Sequence, residues 1–160
     1  PRLGDLHAKL EAKHKIYKLS EALAELDDFA AIYIDTPPAF NFYTLSALVA
    51  AQGCLIPFDC DEFSRQALYA LLENVQEVQV DHNPGLIVEG IVVNQYQPRA
   101  NLSRQIVDSL REDQLPVLNS LVSSSIKMKE SHNESLPLIY FAPKHKLTRE
   151  FLALFDELHG

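Results

Sequence analysis

Glycine, cysteine and positive charge are all scarce in this sequence. Its five glycines, Gly4, Gly53, Gly85, Gly90 and Gly160, cannot be arranged as the G-x-x-x-x-G-K-[ST] loop that cradles phosphates. Cys54 and Cys60 are too few for a disulfide framework, and no signal peptide opens the chain, so a reducing cytoplasm is expected. A net charge of −8 argues against a general nucleic-acid binder, although a local basic patch on a dimer stays open. No apolar run approaches the ~18 residues of a membrane span. Nor is any segment repetitive or rich enough in Ser and Gly to be a linker. His7, His14, His82, His132, His145 and His159 show no metal-ligand spacing, and His7 and His14 are expected to face solvent. There is no G-x-S-x-G. Cys60 has no base near it in sequence and reads as packing.

What is present suits one domain with a real core: 160 residues, 47% of them hydrophobic. The chain opens on "PRLGDLHAKLEAKHK" without an initiator methionine, which points to a processed product or to a piece of something longer. Helical spacing joins Leu6, Leu10 and Tyr17, then Ile16, Leu19, Leu23 and Leu26, with a phase slip near His14 that predicts two helices or one bent one. "AAIYI" reads as a short buried strand. Asn41 is placed to cap a helix over "FYTLSALVAA", which is apolar nearly all round and so belongs in a core or at an interface.

"CLIPF" predicts a second strand, followed by a helix with Phe63, Leu68, Leu71, Leu72, Val75 and Val78 inward. "LIVEGIVVN" is a third strand. Asn101 is read as the cap of "LSRQIVDSL", with Leu102, Ile106 and Leu110 on one face. "LPVLNSLV" is a fourth strand, "PLIYFAP" a short fifth, and "LTREFLALFDEL" the closing helix. Strands alternating with helices, each strand apolar on both faces, predict an α/β fold with a mostly parallel sheet flanked by helices on both faces. Ligands in such sheets bind beyond the carboxyl ends of the strands, and "DTPP", "DCDE", "NQYQPR" and "SSS" put four polar tips there.

In that order the segments resemble the ParA/MinD-like P-loop ATPases, which partition or position DNA and other cargo in bacteria. The resemblance rests on "YIDTPPAFNFYTLSALVAAQGCLIPFDCDEFSRQAL", "GIVVNQYQPRANLSRQIVDSL" and "SSSIKMKESHNESLPLIYFAPKHKLTREFLAL", and runs from about residue 15 to the end. It implies a Gly-rich Walker A loop with two lysines upstream, and this chain carries none. Residues 1–160 are therefore read as a single α/β domain, an incomplete P-loop fold forming the C-terminal portion of a larger ATPase, inactive by itself.

The resemblance also assigns residues. Asp35 would help hold Mg²⁺ through water as the catalytic carboxylate, where the residue alone reads first as a turn cap. Pro37 and Pro38 would stiffen the switch segment that senses the γ-phosphate of ATP. Asn94 would contact adenine, because an amide offers a donor and an acceptor side by side, with Gln95 and Tyr96 lining the same pocket. Arg99, Lys127 and Lys129 fall where family members contact DNA non-specifically; a solvated surface is the other reading. Lys144, Lys146 and Arg149 crowd a helix N-terminus, where the macrodipole disfavours cations, so a use for them is expected. The family implies a cytoplasmic, nucleoid-associated homodimer, stimulated by a ParB-like partner, with no membrane role. A non-catalytic interaction module that keeps the fold is the alternative.

Overall fold

The computed structural model describes residues 15–160. They form two compact units: one of the described residues up to Cys54 with Tyr69–Ile87, the other of Leu55–Leu68 with Val88–Gly160. The expected phase slip at His14 lies outside the described residues.

In the first unit a 3-10 turn, Lys15–Tyr17, runs into α1, Lys18–Leu23. Both pack on α2, Phe42–Ala50, which buries Phe42, Ala47, Leu48 and Val49. Asn41 caps α2 as its sequence predicts: its side chain accepts from the backbone N–H groups of Tyr43 at 2.9 Å and Thr44 at 3.3 Å. At the other end, Asn83 Nδ2 donates to the carbonyls of Leu48 and Ala51 at 2.9 and 2.8 Å, satisfying acceptors that a helix end leaves open. Tyr17 Oη and His82 Nδ1 lie 2.9 Å apart, joining the 3-10 turn to residues beyond the long helix.

The predicted strand over 30–34 does not form, and residues 31–37 belong to no regular element. Ile32, Tyr33 and Ile34 are exposed, Tyr33 at 76%. A strand apolar on both faces is stable only when neighbours take its N–H and C=O groups, and among the described residues no strand pairs with this one.

The sheet itself is parallel. β1, Gly53–Asp59, and β2, Ile87–Asn94, are paired from end to end. Ile87 N–H donates to Gln52 O where they begin, and Cys60 N–H donates to Asn94 O where they finish, each at 3.0 Å. On the far side of β2 the predicted fourth strand survives as two parallel bridges, Ile91 with Val117 and Tyr96 with Ser123. It breaks at Asn119 and Ser120, whose backbone N–H groups turn instead to the Glu157 carboxylate at 2.7 and 2.8 Å.

α3, Glu62–Asp81, links the strands. Leu68, Val75 and Val78 are buried, but Phe63 is 88% exposed. It sits in the first turn, beside Asp61, which caps that turn by accepting from the Ser64 N–H and hydroxyl at 2.8 and 2.9 Å.

α4, Asn101–Glu112, begins one residue earlier than its sequence suggests, so Ala100 is the N-cap and Asn101 lies inside the helix. Its buried face is Ser103, Ile106, Val107 and Leu110; Leu102 points outward. The sequence predicts no helix over 126–133, where α5, Ile126–Asn133, forms with Ser125 as its N-cap; α7, Lys146–His159, is the expected closing helix. The predicted fifth strand is instead a single helical turn, α6, Leu138–Phe141. Pro137 has φ −55° and no N–H for a ladder, while its carbonyl accepts from Tyr140 at 2.9 Å and Phe141 at 3.0 Å.

The second core holds Val122, Leu138, Leu147 and Leu154, with Val92 of β2 packed against it. Ile91 and Val93, which alternate with the partly buried Val92 and so face the other way, are fully buried, as expected of a sheet flanked by helices.

β2 also carries a packing constraint that can be tested. A Cβ added to Gly90 would lie 2.6 Å from Leu118 Cδ2 and 2.7 Å from Cγ. Gly90→Ala is therefore expected to cost about 1 kcal/mol, the low end for overpacking because a leucine tip can shift. Urea unfolding measures it, and an unchanged midpoint would remove Leu118 as the reason for glycine here.

Candidate functional site

The first unit places Asp35, Thr36 and Pro37 at the wall of a cavity of about 520 Å³, together with Lys15, Lys18 and Ser46. The segment entering α2 is pinned by the Asn41 cap and by the Thr44 hydroxyl, which donates to the Ala39 carbonyl at 2.8 Å. Pro38 follows within the same short connection. Lys18 is paired with Glu21.

Ser46 is 6% exposed, and its hydroxyl is the buried side-chain oxygen without a hydrogen-bond partner among the described residues. A buried hydroxyl with no partner costs free energy, so its place at a cavity wall is notable. Asp35 is exposed and lies within the irregular segment 31–37, not at a strand tip as its sequence suggests.

The side-chain oxygens at this wall are hard donors: the Asp35 carboxylate and the hydroxyls of Thr36, Tyr43 and Ser46. They fit Mg²⁺, which keeps several waters and is usually held by one or two carboxylates plus substrate phosphates. No set of three His, Cys, Asp or Glu side chains able to cage a metal exists among the described residues. The donor set suits a magnesium shared with phosphate.

The second unit holds the tips of β1 and β2. Because the strands are parallel and in register, Asp59 and Asn94 finish side by side, and Asn94 Nδ2 donates to Asp59 Oδ1 at 2.9 Å. The tip is braced on both sides: Cys60 N–H donates to Asn94 O at 3.0 Å, and Asp61 N–H to Asp59 O at 2.7 Å. The capping bonds from Ser64 hold the Asp61 carboxyl below the usual range.

Cys60 is inert in this setting. Its thiol donates to the Ser103 carbonyl at 3.5 Å, and burial, the largest influence, pushes its pKa up.

Gln95 turns the chain with φ 55°. The other non-glycine residues at positive φ, Gln114 and Ser135, sit just beyond helix ends, where that conformation is common. Gln95 follows a strand. Tyr96 is drawn into the sheet, donating to Val122 O at 3.0 Å and accepting from Ser124 N–H at 3.1 Å.

The basic residues are not equivalent. Arg99 and Lys129 are exposed. Lys127 is held by Glu130 at 2.5 Å, and its ammonium lies 5.7 Å from the centre of the Phe141 ring. Lys146 has a local use: it pairs with Glu150 at 2.9 Å and donates to Ser123 Oγ at 3.1 Å.

Asp59 and Ser46 escaped the sequence reading. Asp59 carried a usable signal, since it ends β1 just as Asn94 ends β2, and parallel neighbours place their last residues together. Ser46 carried none beyond a lone hydroxyl in an apolar helix.

Residues 2–88 match the family model described as an AAA domain. The chromosome partitioning protein ParA of Myxococcus xanthus is 32% identical over 144 residues, covering 89% of this chain and 51% of that protein. The chain thus spans about half the length of the curated relatives it matches. Cobyrinic acid a,c-diamide synthase of Mycobacterium smegmatis, solved with an ATP analogue and magnesium, superposes with TM-score 0.68 and 30% identity, over 74% of this chain and 50% of that one. An ATP complex of McdA from Cyanothece shares the fold, with TM-score 0.80 and 22% identity, over 98% and 63%. A parallel sheet with its polar residues gathered at strand ends, the Asp35-Thr36-Pro37-Pro38 segment and these matches agree: the chain belongs to the AAA domain family, among its ParA/MinD-like P-loop ATPases.

Proposed function

We propose that this chain is part of a ParA-like ATPase that partitions or positions DNA or other cargo through ATP-dependent dimerisation and non-specific DNA binding. The observation that carries this reading is the 30% identity to an enzyme solved with an ATP analogue and magnesium. The partitioning role of the Myxococcus relative supports the cargo. A homodimer, a ParB-like stimulating partner and a cytoplasmic, nucleoid-associated location belong to the same reading. No helix among the described residues is long and apolar enough to cross a membrane.

In this reading Asp35 orients water around magnesium, and Pro37 and Pro38 limit the conformations of the segment that senses the phosphate. When bound, magnesium neutralises charge on the phosphate oxygens. Asn94 contacts the adenine edge, and Gln95 lies in the turn beside it. The β- and γ-phosphates need backbone N–H groups and lysines from a Gly-rich loop, and residues 1–160 contain no such motif. The 160-residue chain alone is therefore expected to hydrolyse no ATP, and robust turnover by it would refute the assignment.

The DNA part is tested separately. In an ATP-bound dimer of a longer form, replacing Arg99, Lys127 and Lys129 with alanine is expected to weaken binding about equally for any DNA sequence. The salt dependence should become shallower, by up to about 0.9 in slope for each lost phosphate contact. Lys127, already engaged by Glu130 and Phe141, should contribute least. Unchanged affinity in the triple variant would end the DNA reading and leave the nucleotide reading intact.

A further inference from the structure

The geometry at the strand tips points to a second residue in base recognition. Resting on the reading that Asn94 contacts the base, we propose that Asp59 is a positioning residue: it orients the Asn94 amide so that the site selects a 6-aminopurine over a 6-oxopurine. An unconstrained asparagine can present either end of its amide, its oxygen as acceptor or its NH₂ as donor. Asn94 has no such choice. Its Nδ2 lies 2.9 Å from Asp59 Oδ1, and a carboxylate can only accept. The flipped amide would set two oxygens against each other. One N–H of the NH₂ is thereby committed to Asp59, and Oδ1 keeps the remaining N–H beside it, an acceptor and a donor whose order along the base edge is now fixed.

An acceptor there suits the amino group at C6 of adenine, which donates. It opposes the carbonyl at C6 of guanine or hypoxanthine, which also accepts. The selection comes from Asp59 although Asp59 itself need not touch the base.

The support around Asp59 is what such a role requires. Its carbonyl accepts from Asp61 N–H at 2.7 Å, and the Asp61 side chain is locked into the first turn of α3 by Ser64. The Asn94 carbonyl is fixed by Cys60 N–H. Both partners of the Asp59–Asn94 bond thus have clamped backbones. The left-handed turn at Gln95 carries the chain away directly after Asn94. All of these residues lie in one unit.

The test compares adenosine with inosine, which bear an amino and an oxo group at C6, in titrations of the 160-residue chain. Nucleosides need no phosphate cradle, and the Asn94 side-chain N–H₂ signals in ¹H–¹⁵N spectra report contact directly. Adenosine is expected to bind about tenfold more tightly than inosine, a ratio worth one ordinary hydrogen bond. In Asp59→Asn the amide can turn either way, and the ratio should fall towards one with the rest of the spectrum unchanged. Asp59→Glu keeps an acceptor-only partner and should retain a preference for adenosine. A residue that merely stabilised the tip would weaken both nucleosides alike and leave the ratio where it was. Unchanged discrimination in Asp59→Asn, with binding intact, overturns the role of Asp59 and leaves the base contact standing. If neither nucleoside moves the Asn94 signals of the unmodified chain, the base contact itself is refuted and this inference falls with it.

Discussion

In a form long enough to include a phosphate-binding loop, Asp35→Ala is expected to lower magnesium-dependent ATP hydrolysis by at least ~100-fold, as when one preorganised group facing developing charge is removed. The thermal midpoint should not move. Asp35 is exposed and lies within an irregular segment, so truncating it empties no packed space. The competing account makes Asp35 a turn cap. A lost cap leaves chemistry intact and costs about 1 kcal/mol of stability. Steady-state turnover and a melting curve on the same two proteins therefore separate the accounts. Full activity with a lowered melting point would make Asp35 structural and overturn the magnesium role.

Replacing Glu150 and Glu157 together with glutamine is expected to destabilise the protein by about 2 kcal/mol at neutral pH, roughly half the value of fully buried charge-assisted bonds because both sites are partly solvated. The two carboxylates fasten α7 to the broken strand. Glu157 accepts from the Asn119 and Ser120 backbone N–H groups and from Asn119 Nδ2 at 3.0 Å. Glu150 accepts from the Ser123 N–H and hydroxyl at 2.9 and 2.8 Å and pairs with Lys146. Burial pushes both carboxyls up. The donors from Ser123 and Lys146 at Glu150, and from Ser120 and Asn119 at Glu157, outweigh it and hold both below the ordinary range.

The sign of the pH dependence follows. A carboxyl whose pKa is lowered on folding adds stability that is complete above its unfolded value and is lost as pH falls through the folded one. The gap between wild type and the double variant should stay constant from pH 7 to about 5 and close in more acid solution. Urea unfolding across that range measures it. A gap that persists undiminished at low pH would mean that the carboxylate charge is not what fastens the helix.

Features settled within one turn of chain were legible from the sequence. Asn41 lies immediately before Phe42–Ala50 and donors two and three residues on complete its cap, so the motif could be read without a fold. Both strands of the sheet were legible for a similar reason, since "CLIPF" is apolar throughout and "LIVEGIVVN" is rich in β-branched residues. The alternation of helix and strand then led to a parallel sheet. Among the candidate site residues, Asp35 and Asn94 were reached through the order of the motifs, not through any single one.

The misreadings have two causes, a pairing partner that is not there and local geometry that outweighs composition. "AAIYI" has the composition of a strand, but a strand exists only where another lies beside it, and no described strand does. "PLIYFAP" has similar apolar content and became a helical turn because Pro137 cannot donate to a ladder. Phe63 and Leu102 sit at helical spacing with the core yet face outward, since first-turn residues go where the cap and the preceding loop aim them. The sequence by itself determined the Asn41 cap, the two paired strands and, from their alternation with helices, the parallel sheet, because propensity and capping are properties of short segments. Only the tertiary structure decided that Asp59 holds the Asn94 amide, and that Glu150 and Glu157 lock the last helix, because those bonds join residues 35, 27 and 37–38 positions apart in the chain.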